Sequence, residues 1–313
     1  MPNSALIAVG GNSLIRAGEK GTIAEQMNNA RLISKAIVAF LAAGFRVVLT
    51  HGNGPQVGAA LLRSERAAGQ VYELGLDVCV AATQGEIGYI LQQALQQEMR
   101  QAGMPQAVTT VLTQVVVAAD DPAFQRPAKP IGPFYSRESA EEKTRVFGWQ
   151  MVEDAYRGYR RVVSSPEPLE IVEEDVIRRI LEQGMLAIAV GGGGIPVVRE
   201  NGRFRGVDAV IDKDRSSVLL ALRLPVELLV FPTDADFVYL NYRKPNQRPL
   251  ARVRASEMRE YYDAGYFPPG SMGPKIEAAL RFLYGGGREV IITSHGKLAS
   301  VLRDNGGTHI LAD

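Results

Sequence analysis

Short apolar runs, each emptying into a glycine-containing loop, recur along this chain with helical patterns between them, and few folds accept that combination. Ala5–Val9 is apolar throughout and ends in Gly10-Gly11-Asn12-Ser13. A run without polar alternation predicts a strand covered on both faces. Ile23–Ala43 then carries apolar residues at helical spacing, Gly44 stops it, and the strand Arg46–Thr50 opens into His51-Gly52-Asn53-Gly54-Pro55. The rhythm continues with a helix over Asp77–Arg100, a strand-like Ala107–Leu112, a helix over Val172–Glu182, and a strand Met185–Val190 that ends in Gly191–Gly194. Further on come the strand Val226–Phe231 with Thr233–Asp236 behind it, the apolar piece Val238–Leu240, helices over Ser256–Ala264 and Pro274–Tyr284, and a late strand Glu289–Thr293. Such alternation predicts an α/β fold whose sheet is mostly parallel and covered by helices on both faces.

Ala118–Glu167 interrupts the rhythm with prolines (Pro122, Pro127, Pro130, Pro133), aromatics (Phe134, Tyr135, Trp149) and charges. A structureless loop of that length is unusual inside a domain, so the stretch reads as an inserted subdomain. The 313 residues accommodate one large or two modest domains, and two lobes are expected.

Charge and cysteine content narrow the partners. With 35 basic and 34 acidic residues the net charge is +1, which leaves no electrostatic footprint for nucleic acid or an anionic membrane. A small-molecule ligand fits better. The single cysteine, Cys79, excludes an intramolecular disulfide and is expected to be a buried small hydrophobe in a reducing compartment. No basic segment followed by a long apolar one opens the chain, and no run approaches bilayer length, so a cytoplasmic location is expected.

The loops Gly10–Ser13, His51–Gly54, Gly191–Gly194 and Thr233–Asp236 all follow strand ends, where open parallel sheets bind ligands, so together they outline one site. None carries the phosphate-loop or dinucleotide fingerprint. Asp212 reads as a helix N-cap, which puts Lys213 in the first turn between Asp212 and Asp214, with Asp208 close by. The helix dipole disfavours a cation there by roughly 0.3–1 kcal/mol. Lys275, read as the second helical residue behind Pro274, repeats the conflict. A bound phosphate resolves both, and solvated lysines paired with neighbouring aspartates are the alternative. Lys129 lies at the tip of the insertion. Only His51, His295 and His309 are present, too little for a triad or a histidine-rich metal site, and His51 is expected to orient its loop by hydrogen bonding. Lysines, carboxylates and glycine loops without a covalent nucleophile point to phosphoryl transfer.

AVGGNSLI, VLTHGNGPQVG, TQGEIGYILQQAL, KPIGPFYS, RGYRRVVSSPEP, GGGGIPVV, AVIDKD, KPNQ and GSMGPKIEAA occur in this order over nearly the whole chain. In these motifs the sequence resembles the carbamate kinases of the amino acid kinase family. The resemblance implies a three-layer αβα sandwich with two lobes and a protruding subdomain. Residues 1–223 would form the lobe for carbamate or carbamoyl phosphate, with the subdomain inserted at about 118–167, and residues 224–313 the nucleotide lobe. It further implies reversible phosphoryl transfer between ATP and carbamate, with Mg²⁺ carried by the nucleotide and no metal site in the protein. A homodimer and an ATP-forming role in catabolism, that of arginine among others, belong to the same implication. Gly10, Gly11, Asn12, Gly52 and Asn53 match the loops that hold the carbamate and the transferring group. Lys129 and Lys213 match the lysines on the phosphoryl oxygens and Lys275 one on the nucleotide phosphates, while Asp214 matches the aspartate that orients the lysines and Asp208 an accessory acidic position. Asp236, Tyr239 and Met272 match further nucleotide positions. Ser13 stands where alanine is usual, Glu86 where methionine is common and Arg215 where leucine is common, while Phe237 and Arg243 alter a further motif. These departures leave open another small carboxylate as acceptor, or a non-catalytic sensor of nucleotide or carbamoyl phosphate.

Overall fold

The first strand, β1 (Ser4–Val9), is buried along its whole length because its alternate side chains serve two different cores. Ala5, Ile7 and Val9 belong to one, Leu6 and Ala8 to the other. The computed structural model describes residues 3–16, 18–154, 158–267, 272–304 and 306–313, with the side chains of Asn12 and Asp304 outside that description. A capping box starts α1 (Ile23–Ala42): the Thr22 side chain accepts the Glu25 N–H, and the Glu25 carboxylate accepts the Thr22 N–H. Next come β2 (Arg46–His51), α2 (Gly54–Arg66), the long α3 (Leu76–Gln101), β3 (Val108–Thr110) and β4 (Gln114–Val116).

The described part of the insertion has secondary structure of its own. β5 (Lys129–Tyr135), α4 (Arg137–Phe147), β6 (Met151–Glu153) and β7 (Tyr159–Val163) build a three-stranded antiparallel sheet in the order β5-β7-β6, flanked by its own helix. It docks on α2 and α3 through a small core of Val57, Leu76, Cys79, Val80, Ile131, Val163 and Val210. Cys79 is thus a buried hydrophobe there, as expected. At the closest approach Gly58 of α2 faces Gly132 of β5; a Cβ on Gly58 would stand 2.1 Å from the Gly132 Cα. Gly58→Ala should therefore push the subdomain off α2, costing about 1–3 kcal/mol as overpacking does. Thermal unfolding of the variant checks this, and a wild-type melting temperature would contradict it.

The main chain resumes with β8 (Glu170–Ile171), α5 (Glu174–Glu182), β9 (Leu186–Ile188), β10 (Ile195–Glu200), β11 (Arg203–Gly206) and α6 (Lys213–Arg223). β12 (Leu228–Thr233), β13 (Val238–Leu240), β14 (Arg248–Leu250), β15 (Arg252–Arg254) and α7 (Ala255–Asp263) follow. The chain ends in α8 (Met272–Tyr284), β16 (Glu289–Ser294), α9 (Val301–Asp304) and β17 (Thr308–Leu311). One eight-stranded sheet, β15-β17-β16-β12-β1-β2-β9-β3, joins the two halves of the chain. It is parallel except at the β16–β17 pairing, where the end of the chain turns back. α1 and α3 cover one face and α5 to α8 the other, which makes three layers. Among the described residues no helix is long and apolar enough to cross a membrane.

Two expectations change. α8 begins at Met272, so Lys275 is its fourth residue rather than its second. Proline suits a first turn without marking the first residue. The residues after Gly194 form an unforeseen antiparallel hairpin, β10–β11, whose turn puts Asn201 and Gly202 at positive φ.

Candidate active site

The parallel strands β1, β2 and β12 run side by side, and their ends release loops on one edge of the sheet. All four loops singled out above line a single cavity of about 290 Å³, through Gly10, Gly11, Ser13, Gly52, Asn53, Gly192, Thr233 and Asp234. The first two touch: a Cβ at Gly52 would stand 2.7 Å from the Gly11 amide nitrogen, so the loop backbones themselves form the wall. Gln84 of α3 holds the third loop, donating to the Gly191 carbonyl at 2.8 Å. Ser216 of α6 donates to the Gly193 carbonyl at 2.7 Å. His51 is buried, its Nδ1 is 3.2 Å from the Gly52 carbonyl, and burial brings its pKa down to about 4. It orients the loop as a neutral ring.

Opposite the glycines stand three lysines and two aspartates. Asp212 caps α6, its Oδ1 accepting the Asp214 N–H at 2.9 Å, while its Oδ2 pairs with Lys129, which opens β5 beside the cavity rather than standing at the tip of the insertion. Lys213 is 8 % exposed, so the reading of it as a solvated lysine falls away. Its ammonium donates to the Ala8 carbonyl at 2.7 Å and pairs with Asp214 Oδ1 at 2.8 Å. Lys275 takes Asp214 Oδ2 at 2.8 Å. One buried carboxylate therefore holds two ammonium groups side by side.

Burial opposes all of these charges, and the pairings decide what remains. Burial pushes the Asp214 carboxyl up, but Lys213 and Lys275 outweigh it and hold it well below the usual carboxylate range. Asp212 is likewise lowered, burial being outweighed by Lys129 against the opposing charge of Asp214. Burial would lower Lys275, yet Asp214 leaves it raised. At Lys213 burial wins: with Lys275 adding repulsion, the ammonium is lowered to about 8 despite Asp214. Three lysines stand against two aspartates at the centre of the cluster, while the whole lining balances, with Asp154 and Asp234 offsetting Arg160 and the third lysine. An anion bound here would meet the three ammonium groups directly.

The remaining expected residues lie around this centre. The Asn53 side chain is buried and donates to Thr83 Oγ1 at 3.0 Å while its residue lines the cavity. The Asn12 side chain lies outside the described residues. Asp208 does not line the cavity; its Oδ1 accepts the Leu76 N–H at 2.9 Å at the start of α3. Asp236 pairs with Lys297 at 2.9 Å, Tyr239 packs edge-on against Phe237, and Met272 packs on the core beneath α8. None of these three lines the cavity either. Residues that the sequence did not single out for the site do: Asp154 and Arg160 from the insertion, ion-paired at 3.0 Å, and His295, which meets Ser13 of the first loop. Arg160 also donates from Nε to the Gly132 carbonyl at 3.0 Å. Its only sequence signal was its place in RGYRRVV. Among the described residues no group of three or more His, Cys, Asp or Glu is arranged to hold a metal ion.

Comparison with known proteins finds relatives over nearly the whole chain. Residues 3–294 match the amino acid kinase family. The chain is 45% identical to the carbamate kinase of Thermococcus kodakarensis, over 98% of its own length and 99% of that protein's. It is 46% identical to the carbamate kinase-like protein YahI of Escherichia coli, over 99% of both. Among solved structures, carbamate kinase from Giardia lamblia bound to AMP-PNP superposes with a TM-score of 0.90 at 42% identity, covering 100% of this chain and 99% of that one. The same enzyme bound to citric acid gives 0.95 at 41% identity, with the same coverage.

Proposed function

The chain belongs to the amino acid kinase family, and from that premise we propose that it is a carbamate kinase whose chemistry is carried by the lysine–aspartate cluster facing the glycine loops. In one direction an oxygen of carbamate displaces ADP from the γ-phosphorus of ATP, forming carbamoyl phosphate. In the other, an oxygen of ADP displaces carbamate and forms ATP. Carbamate is already an anion and needs no general base. The obstacle is bringing two anions together, so positioning and charge neutralisation supply the catalysis.

Lys129 and Lys213 are assigned to the oxygens of the transferring group, Lys275 to the nucleotide phosphates, and Asp214 to holding Lys213 and Lys275 in place. Gly10, Gly11, Asn12, Gly52 and Asn53 hold the carbamate and the transferring group, mainly through backbone amides. Asp236 and Tyr239 follow the cavity-lining segment Thr233–Asp234, and Met272 precedes Pro274 and Lys275, which supports a nucleotide on that side. Asp208 remains an accessory, anchoring the segment that leads into Asp212. The acceptor lobe is residues 1–223 with the insertion at about 118–167, and the nucleotide lobe is residues 224–313. Magnesium enters with the nucleotide. A cytoplasmic homodimer running toward ATP in a catabolic route completes the reading. Val78 and Tyr89, about three turns apart on α3 and exposed, support a second subunit on that helix. Sedimentation at micromolar concentration checks it.

The observation that carries the proposal is Asp214 gripping two lysines at the mouth of the glycine loops, in a chain so similar to named carbamate kinases. A coupled assay for ATP from carbamoyl phosphate, ADP and magnesium tests it. ATP formation is expected, and its absence, or faster turnover of another small acid, would overturn the acceptor.

The same assay should show a basic limb. Lys213 must be charged to neutralise the phosphoryl group, and in the free enzyme it loses its proton above about pH 8. kcat/KM should therefore be flat below that pH and fall above it, while a bound anion should move the kcat limb higher. Unfolding would not mimic this limb. A lysine whose pKa is lowered from 10.5 burdens the fold below about pH 8, and that burden lifts as the pH rises toward 10.5. A kcat/KM that stays level through pH 9 would remove Lys213 from the rate-determining charge set.

A further inference from the structure

The cavity holds one hydrogen-bonded pair that the proposed mechanism leaves unused. Ser13 Oγ and His295 Nε2 are 3.2 Å apart and join the loop behind β1 to the loop behind β16. Both residues line the cavity. Ser13 is 1 % exposed, and its hydroxyl lies against Gly10, where a Cβ would stand 3.3 Å from Oγ. Backbone bonds fix both ends: the Ser13 N–H donates to the Gly10 carbonyl at 3.1 Å, and the His295 N–H to the Thr233 carbonyl at 3.2 Å.

The direction of the hydroxyl follows from the ring. Nδ1 of His295 is buried and has no partner among the described residues, so a proton there would be a buried donor with nothing to accept it. Asp234 Oδ1 lies 4.0 Å from Nε2 and favours the proton on that side. Nε2–H then donates to Ser13 Oγ. The hydroxyl, already used as an acceptor, keeps its own proton for an acceptor in the cavity. Ser13 sits on the acceptor side, at the end of β1, and His295 on the nucleotide side, at the end of β16. A group bound in the cavity beside this junction of the two sides is the one in transfer.

We propose that Ser13, positioned by His295, is a neutral hydrogen-bond donor to an oxygen of the transferring phosphoryl group. This rests on the carbamate kinase reading and adds to it a donor that neutralises no charge but fixes the group's orientation. A hydroxyl at position 13 also makes the pocket more polar than the alanine usual there. His295 acts only through Ser13.

Ser13→Ala should lower kcat in the carbamoyl phosphate assay by roughly tenfold, the worth of one hydrogen bond to a charged group. KM for ADP should stay within about twofold. His295→Leu should fall with it, and adding Ser13→Ala to His295→Leu should cost little more. His295→Gln, whose amide N–H can take the place of Nε2–H, should recover most of the loss. Nitrogen-15 imidazole spectra should show the proton on Nε2. A wild-type kcat in folded Ser13→Ala, or a proton resident on Nδ1, overturns the proposal. If the wild-type protein makes no ATP from carbamoyl phosphate, the carbamate reading fails, and inorganic phosphate binding decides the pair separately. Weaker binding by Ser13→Ala supports the donor, and equal binding refutes it.

Discussion

Lys213→Met is expected to reduce kcat by roughly 10²–10³ while the protein stays folded, the loss seen when one preorganised donor to a developing charge is removed. Methionine is similar in length and apolar, so it fills the buried channel that the lysine stem occupies between α6 and β1. It also removes a charge that the site itself resists, as the lowered pKa of Lys213 shows. The fold therefore loses the charged bond to the Ala8 carbonyl, worth about 1.5–3 kcal/mol, and one of the two ion pairs of Asp214, which keeps Lys275, and it regains part of that through desolvation no longer incurred. Turnover and stability thus separate in this variant. Lys275→Met, by contrast, should raise KM for the nucleotide more than it lowers kcat. Measuring kcat beside a thermal melt checks both variants. A folded Lys213→Met with near-normal turnover would leave the cluster without its central role.

That cluster is partly legible in the sequence, and the part that is not has a physical cause. Asp212 announced itself as a helix cap because capping is local: its Oδ1 bonds two residues along the chain. Its other oxygen pairs with Lys129, 83 positions away, and no local pattern encodes that. The strand-end loops were legible for a similar reason. Continuous apolar runs betray doubly covered strands, and a parallel sheet puts their ends on one edge. β17 was not foreseen, because four residues pairing antiparallel with β16 carry no periodicity of their own. Ser13 is legible in the sequence as the end of a strand-end loop and as a departure from a motif, but its meaning depends on His295 at the other end of the chain. The family motifs singled out three lysines that the fold brings to one cavity. What they could not convey is the division of labour that geometry shows, one carboxylate serving two ammonium groups while its neighbour serves the third.

Asp214→Leu tests that division and should be the most destabilising change in the site. Asp214 holds Lys213 and Lys275 at 2.8 Å each, with its own side chain 9% exposed. Without it two buried ammonium groups face each other. Breaking a buried pair by removing one partner costs about 3–5 kcal/mol. The lysines can escape by shedding a proton, but neutralising an ordinary lysine at pH 7 costs about 4–5 kcal/mol, so the penalty is similar by either route. The sign with pH follows. Both lysines would have folded pKa values below their unfolded ones, so the burden is full at low pH and fades as the pH rises toward the unfolded value. Urea unfolding should show a large deficit for Asp214→Leu at about pH 6 that shrinks by about pH 9. Lys213→Met combined with Asp214→Leu should recover much of the stability, because only one unpaired ammonium remains, and none of the turnover. A deficit that does not change with pH would mean that Asp214 supports the fold by packing rather than by balancing the two lysines.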